Sequence, residues 1–141
     1  MDGGFFLCPD SWEFLLPVGV QHLRHPRSVC RKRWDFLALT PLGCRMLAGQ
    51  AVTAAVLLLP GDCGANGFRA ETVVTYGLSP RDSITFSSLR EPVLCVQRAL
   101  PLLRGGVLEP QEFPLPGLAG AEGLLPCVSA RLLWTGSPYP L

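Results

Sequence analysis

Residues 52–59 read VTAAVLLL, a nearly unbroken apolar run that ends at the turn residues PGD. A run of this length, closed by turn residues, predicts a strand buried on both faces, as in a parallel sheet. Just upstream, WDFLALT at 34–40 predicts a short buried strand, and PLGCRMLAGQ at 41–50 predicts a short helix with Thr40 as its N-cap. Strand, helix and strand in this order predict a parallel βαβ-like part over 34–62.

Beyond this part the sequence changes to short β-branched and aromatic segments separated by glycine, proline and serine. Such segments are typical of short strands joined by turns. Prolines cannot donate to a strand ladder, so the proline-rich segment at 107–116 is expected to be an edge strand. We therefore predict a small antiparallel meander over 71–116, with strands near 71–76, 83–89, 93–100 and 107–115.

The two ends of the chain read differently from the middle. Residues 1–33 combine broken hydrophobic stretches with a basic block, which predicts an irregular, basic N-terminal segment. CVSARLLW at 127–134 fits either a strand or two turns of helix, and 135–141 is predicted to be a loose tail. The predicted fold class is α/β, with a short parallel βαβ part followed by a small antiparallel meander in a single domain over 1–141.

The composition limits the class of protein. Of the 141 residues, 48% are hydrophobic and only 16% are charged, which excludes an intrinsically disordered chain. The formal net charge of +1 provides no global field toward nucleic acid or an anionic membrane. The longest apolar run is about half of the roughly 20 residues that a membrane-spanning helix needs, and the N-terminus has no basic leader region. We therefore expect a cytoplasmic protein that does not engage membranes.

The sequence AETVVTYGLS at 70–79 resembles the "v-x-T-Y-G" strand late in the central ATPase domain of Mur ligases and their folylpolyglutamate synthase relatives. In that family two or three antiparallel strands and an "lplpG" segment follow. Here SITFSSL, VLCVQRAL and EFPLPG follow in the same order. LLLPGD at 57–62 takes the place of the strand that leads to the family's Asn-x-Asp-Asp. The resemblance covers residues 52–117 and implies a scaffold similar to that domain.

The nucleotide-binding motifs of that family are not found in this sequence. It has no Gly-Lys-Ser/Thr phosphate loop, and its one lysine, Lys32, stands between two arginines. LAGAEGL at 118–124 replaces the family's His-Asn-x-x-Asn, and Asp62 alone remains of the acidic pair. The resemblance therefore implies a truncated relative that keeps the scaffold and has lost phosphoryl chemistry.

The six cysteines are spread along the chain, and no two form the C-x-x-C pair of a zinc site. Because no export signal is recognised, we expect them to be reduced and mostly buried. Cys63 stands out because PGDCG follows the apolar strand, and open α/β sheets bind ligands at the carboxyl ends of their strands. Cys63 is thus the candidate catalytic residue of a thiol-dependent enzyme. The alternative is a tight turn in which the cysteine is incidental.

Residues 22–34 form the one charge-rich block of the sequence. Its basic side chains are candidates for binding phosphates or other anions, and its tryptophan is a candidate for stacking on a base. These candidates are Arg24, Arg27, Arg31, Lys32, Arg33 and Trp34. The same block offers three candidate metal ligands, His22, His25 and Cys30. For both sets the alternative is a solvated surface loop.

The favoured function is a non-catalytic binding or interaction module without a cofactor, which docks a protein partner through the edge strand at 107–116. A nucleic-acid or nucleotide-binding protein that uses 22–34 is the first alternative, and a thiol-dependent enzyme at Cys63 is the second. The polar stretch SPRDS at 79–83 is predicted to be a turn whose Asp and Ser side chains accept hydrogen bonds from nearby backbone amides.

Overall fold

The computed structural model describes residues 1–64, 67–116 and 123–139. Within these residues, the strands are β1 (Gly3–Phe6), β2 (Val20–Leu23), β3 (Trp34–Leu39), β4 (Val52–Pro60), β5 (Phe68–Tyr76), β6 (Ile84–Ser88), β7 (Val93–Val96), β8 (Leu100–Pro101), β9 (Val107–Leu108) and β10 (Gln111–Pro114). The helices are a 3-10 helix (Asp10–Leu15), α1 (Pro26–Cys30), α2 (Pro41–Met46) and α3 (Leu124–Thr135). The described residues thus form a mixed α/β fold in which strands predominate.

Eight of the described strands form one sheet, in the order β10-β7-β6-β5-β4-β3-β1-β2. The strands from β2 to β6 pair in parallel, whereas β7 pairs antiparallel with both β6 and β10. The two short strands β8 and β9 pair with each other in a separate antiparallel sheet. The prediction of an α/β fold with parallel and antiparallel parts is therefore confirmed at this level.

The N-terminal segment 1–33 is not irregular, so that prediction is wrong. β1 lies between β2 and β3 and pairs in parallel with both. Its two glycines allow this position because large side chains pack directly on them. A Cβ atom on Gly3 would lie 2.6 Å from the ring of Trp134, and one on Gly4 would lie 2.7 Å from Leu23. A strand that begins with two glycines has little intrinsic β-propensity. Its place in the sheet is therefore stabilised by tertiary packing.

The meander predicted over 71–116 is wrong for its first strand. β5 pairs in parallel with β4 from Val52 opposite Phe68 to Pro60 opposite Tyr76. The parallel direction carries Tyr76 to the carboxyl edge, where its hydroxyl donates to the Leu39 carbonyl at 2.7 Å. An antiparallel β5 would place Tyr76 at the opposite edge and lose that bond.

The proline-rich segment 107–116 contains two short strands rather than one. β9 pairs with β8, while β10 lies at one end of the eight-stranded sheet. The edge position expected for this segment is therefore confirmed for β10. The break between the two strands falls at Glu109 and Pro110, where the proline has no N–H to continue a ladder.

The sheet is covered on both faces at its parallel centre. One face packs against α3 and the 3-10 helix through residues such as Phe36, Ala38 and Leu58. The other packs with residues of α1, α2 and the adjoining loops through Leu37, Leu39, Leu57 and Leu59. Neighbouring residues of β3 and β4 thus enter opposite clusters, which confirms the prediction that β3 is a buried strand and that β4 is buried on both faces.

The segment 127–134, whose sequence fits either a strand or a helix, is helical and belongs to α3. From Leu124 to Trp134 every residue of this helix is buried. The helix ends at Gly136, whose φ of 87° is left-handed and whose N–H bonds to the Leu132 carbonyl. None of the helices in the described parts of the chain is long and apolar enough to cross a membrane.

The tail predicted to be loose over 135–141 is held in place as far as residue 139, so that prediction is wrong for 135–139. The Arg131 guanidinium donates from Nε to the Tyr139 carbonyl at 2.9 Å and from one terminal nitrogen to the Leu15 carbonyl at 3.0 Å. The Tyr139 ring also packs on Phe113, with 6.0 Å between centroids. A single buried arginine thus joins the tail to the 3-10 helix. Residues 140–141 lie outside the described residues.

Candidate functional site

A cleft of about 940 Å³ opens at the carboxyl edge of β4 and β5. Its walls come from the loops that follow these two strands, from β6, and from the first residues of α2 and α3. The lining is mostly apolar, with few polar side chains. Its polar lining includes Asp62, Ser79, Arg81 and Asp82, and its apolar lining includes Phe86 and Leu89.

Asp82 is the buried acid of this cleft, with 4% of its surface exposed. Its Oδ2 accepts a hydrogen bond from the Ser79 backbone N–H at 3.1 Å. Its Oδ1 lies against Gly61 and receives no hydrogen bond from any described residue. A Cβ atom on Gly61 or on Gly77 would overlap the Asp82 carboxylate. The loops after β4 and β5 therefore need glycine at these two positions to enclose the acid.

The turn predicted at 79–83 is confirmed. The Asp82 N–H donates to the Ser79 carbonyl at 3.0 Å, and the Arg81 N–H donates to the Ser79 Oγ at 3.2 Å. Gln97, just after β7, donates from its side chain to the Asp82 carbonyl at 2.6 Å. These bonds fix the position of Asp82 relative to the sheet. The sequence showed the turn but not that it faces a cleft.

The charged groups of the cleft are unevenly buried. Asp62 and Arg81 are exposed, whereas Asp82 is enclosed. None of the three belongs to an ion pair within the described ranges. Among the described residues, no side chain completes a group of three metal ligands with Asp62 and Asp82. The cleft therefore presents one enclosed carboxylate, an apolar surface and a charged rim.

Tyr76 connects the cleft to the core. Its hydroxyl donates to the Leu39 carbonyl, and its ring lines the cleft. Burial raises the pKa of the Tyr76 hydroxyl well above its ordinary value of 10.0, and the neighbouring Cys127 and Asp62 raise it further.

Cys127 is buried beside Cys8, with 3.7 Å between the sulfurs, and this contact together with burial raises the pKa of the Cys127 thiol above 9.0. The Tyr76 hydroxyl and the Cys127 thiol are both neutral in the folded protein at ordinary pH.

Stability is expected to fall as the pH rises above about 9. Because the folded pKa values of Tyr76 and Cys127 are raised, their contribution is complete below the unfolded pKa values and is lost at higher pH. Over the pH range in which a group is ionised in the unfolded chain but neutral in the folded protein, it should lower the free energy of unfolding by roughly 1 kcal/mol per pH unit. Urea unfolding between about pH 7 and pH 11 measures this slope. A Tyr76→Phe variant should show a shallower slope above about pH 10, and a stability that is flat across the range would contradict the prediction.

Cys63 does not carry a free thiol, because the structure joins it to Cys44 in a disulfide with 6.4 Å between the Cα atoms. The expectation that all six cysteines are reduced is therefore wrong for this pair, and the nucleophile assigned to Cys63 is blocked. The bond forms because α2 and the loop after β4 both lie at the carboxyl edge of the sheet. The other four cysteines are free, two of them buried and two partly buried: Cys8, Cys127, Cys30 and Cys95.

The basic block is largely neutralised by acids that the fold brings back to it. Arg24 lies near Asp10 and Glu13, Lys32 near Asp2, and Arg33 near Asp35 and Glu71, all with nitrogen–oxygen distances of 3.2–3.8 Å. Arg27 and Arg31 are exposed and form no ion pair with the described residues. Nucleic-acid binding by this block remains a prediction, now with fewer unpaired charges to support it.

The stacking role predicted for Trp34 is wrong because the side chain is buried. Trp34 begins β3 with 1% of its surface exposed, and its indole N–H donates to the Val29 carbonyl at 2.9 Å. The Lys32 ammonium lies over the ring, 4.4 Å from its centroid. No face of the ring is open to a base.

The predicted metal ligands are not brought together. His22 lies on β2 and its Nδ1 is 3.1 Å from the Glu13 carboxylate, while His25 precedes α1 and Cys30 ends it. Among the described residues the one group with metal-ligating geometry is Asp10, Glu13 and His22. Arg24 already lies 3.4 Å and 3.7 Å from the two carboxylates of that group. The set His22, His25 and Cys30 therefore does not form a metal centre here.

Comparison with protein-family models, with curated proteins and with solved structures finds no match to this chain.

Proposed function

We propose that this protein is a non-catalytic binding module whose ligand, a small molecule, occupies the cleft at the carboxyl edge of β4 and β5. The single observation that carries the proposal is the enclosed Asp82 carboxylate in a mostly apolar cleft. Small-molecule sites are typically apolar pockets of about 300–1,000 Å³ with a few fixed polar groups. The carboxyl edge of a parallel sheet is also where open α/β folds bind ligands.

A binding role is favoured over catalysis by the side chains that surround the cleft. The sulfur of Cys63 is committed to the disulfide. Neither histidine of the sequence lines the cleft. His22 lies on β2, which is four strands away from β5 in the sheet. The Tyr76 hydroxyl is held neutral and bonded to Leu39, so it offers no base at ordinary pH.

We further propose that the scaffold derives from a domain similar to the Mur ligase central domain. Action in the cytoplasm, the second point, stays a prediction, and the Cys44–Cys63 disulfide argues against it because cytosolic thiols are kept reduced. The order of elements supports the first point, since parallel β4 and β5 are followed by β6, β7 and β10 with antiparallel pairing. Under this proposal the chain has no phosphate-loop lysine and does not bind Mg-ATP. Docking of a protein partner on the edge strand β10 stays a prediction.

The cleft is expected to bind Nile red, a neutral dye whose fluorescence rises in apolar surroundings, with saturation at one dye per chain. Leu78 and Leu89 line the cleft and are 65% and 59% exposed, so a double Leu78→Asn, Leu89→Asn variant should fold normally. It should bind the dye at least about tenfold more weakly, because two apolar contacts are lost.

Val107 on β9 provides the matched control for this experiment. It is 60% exposed and does not line the cleft, so Val107→Asn should leave dye binding unchanged. Equal binding by the cleft variant and by wild type would contradict the proposed site. Displacement of the dye by Mg-ATP would contradict the loss of nucleotide binding.

A further inference from the structure

We infer that the ligand of this cleft is an organic cation, an ammonium or guanidinium group on an apolar body, with its positive nitrogen bound by Asp82. The inference rests on the proposed function and specifies the class of ligand. It is drawn from the position, partners and charge of one side chain.

One oxygen of the Asp82 carboxylate has no hydrogen-bond donor in the described protein. The residue is 4% exposed, and its Oδ2 accepts a hydrogen bond from the Ser79 N–H. The Oδ1 atom has no donor among the described residues, and Asp82 lines the cleft with its carboxylate packed against Gly61 and Gly77. A carboxylate oxygen accepts hydrogen bonds and cannot donate them when ionised, so its partner must be a donor.

The charge around Asp82 favours a cationic donor over a neutral one. No arginine, lysine or histidine of the described residues lies within ion-pair distance of this carboxylate. An enclosed charge without a counter-charge is costly, and a bound cation removes that cost while forming a charge-assisted hydrogen bond. Asp62 and Arg81 add one charge of each sign at the exposed rim of the same cleft, so the preference for a cation rests on Asp82.

The rest of the cleft indicates what the cation is attached to. Phe86 from β6, Leu89 after it and Leu125 at the start of α3 provide apolar surface next to the acid. A hydrated inorganic cation would leave this surface exposed to water. An amine with an aromatic or branched aliphatic body would cover it and place its nitrogen at Asp82.

The test compares two probes that share a body and differ in charge, 2-phenylethylamine and 3-phenylpropionate. Each is titrated against Nile red and followed by amide chemical shifts of Gly61 and Gly77. The amine is expected to bind at least about tenfold more tightly than the carboxylate, as expected for one charge-assisted hydrogen bond. This comparison uses only the wild-type chain and does not depend on a variant that folds.

An Asp82→Asn variant then assigns the preference to this residue. Asparagine keeps an oxygen acceptor for the Ser79 N–H, so the turn should persist while the charge is removed. The amine should lose its advantage over the carboxylate in this variant. Glu109→Gln is the control at an exposed acid that does not line the cleft, and it should leave amine binding unchanged because exposed, distant charges are screened.

The outcomes separate this inference from the proposed function. Failure of Nile red and of both probes to bind would overturn the binding module itself. Binding of the dye, together with equal or tighter binding of the carboxylate, would overturn only the cationic ligand. An amine preference that persists in Asp82→Asn would overturn the role of Asp82.

Discussion

Reduction of the Cys44–Cys63 disulfide is expected to lower the free energy of unfolding by about 3 kcal/mol. The bond closes a loop between residues separated by 19 positions, and a cross-link of that span restricts the unfolded chain by about this amount. In the folded state it joins α2 to the loop after β4. Gly61 and Asp62, two cleft residues, lie directly before Cys63 in that loop. The reduced protein should therefore also bind Nile red more weakly.

Urea unfolding with and without a dithiol reductant measures this effect. A double Cys44→Ser, Cys63→Ser variant should match the reduced wild type and should no longer respond to the reductant. Cys30 and Cys95 are free and partly buried, so Cys30→Ser and Cys95→Ser provide controls that should retain the full response. Detection of six reactive thiols in the unreduced, unfolded chain would show that the disulfide does not form.

The central strands could be predicted from the sequence because their signals are local. The unbroken apolar run of β4 and its closing PGD indicate a strand buried on both faces, and the structure buries its residues in two clusters. Thr40 is the N-cap of α2 as predicted, and its side chain accepts from the Gly43 N–H at 3.1 Å. These features depend on neighbouring residues, so a window of about ten residues contains them.

The features that the sequence did not reveal depend on distant contacts. The direction of β5 is fixed by pairing with β4 and by the Tyr76 bond to Leu39, which are properties of the assembled sheet. The disulfide joins α2 to the loop after β4, and the nearness of these two elements follows from the parallel order of β3 and β4. Neither the spacing of cysteines nor the β-propensity of a segment contains this information.

The candidate site was visible only in part from the sequence. From the sequence alone, the turn at 79–83 and the glycines Gly61 and Gly77 are each explained locally, as turn residues between strands. Their convergence needs the topology, since Gly61 follows β4, Gly77 follows β5 and Asp82 precedes β6. The usable signal was a glycine directly after each of two parallel strands, because residues at that place approach each other at the carboxyl edge.

Gly61→Ala is expected to destabilise the protein by about 2 kcal/mol and to weaken binding at the cleft. The added methyl group would overlap the Asp82 carboxylate, which the Ser79 N–H holds in position. Relief requires Asp82 to turn away from Gly61 and Gly77 or the loop after β4 to move, and either change alters the enclosed acid.

Gly64→Ala in the same loop is the matched control, because no described residue other than its chain neighbours has an atom within 4 Å of its Cβ position and its φ is not left-handed. It should be neutral or slightly stabilising, since alanine reduces the freedom of the unfolded chain. A double-mutant cycle with Asp82→Ala makes the test specific. Removing the carboxylate removes the overlap, so Gly61→Ala should cost less than about 0.5 kcal/mol in that background. Equal costs in both backgrounds would show that the glycine is required for a reason other than Asp82.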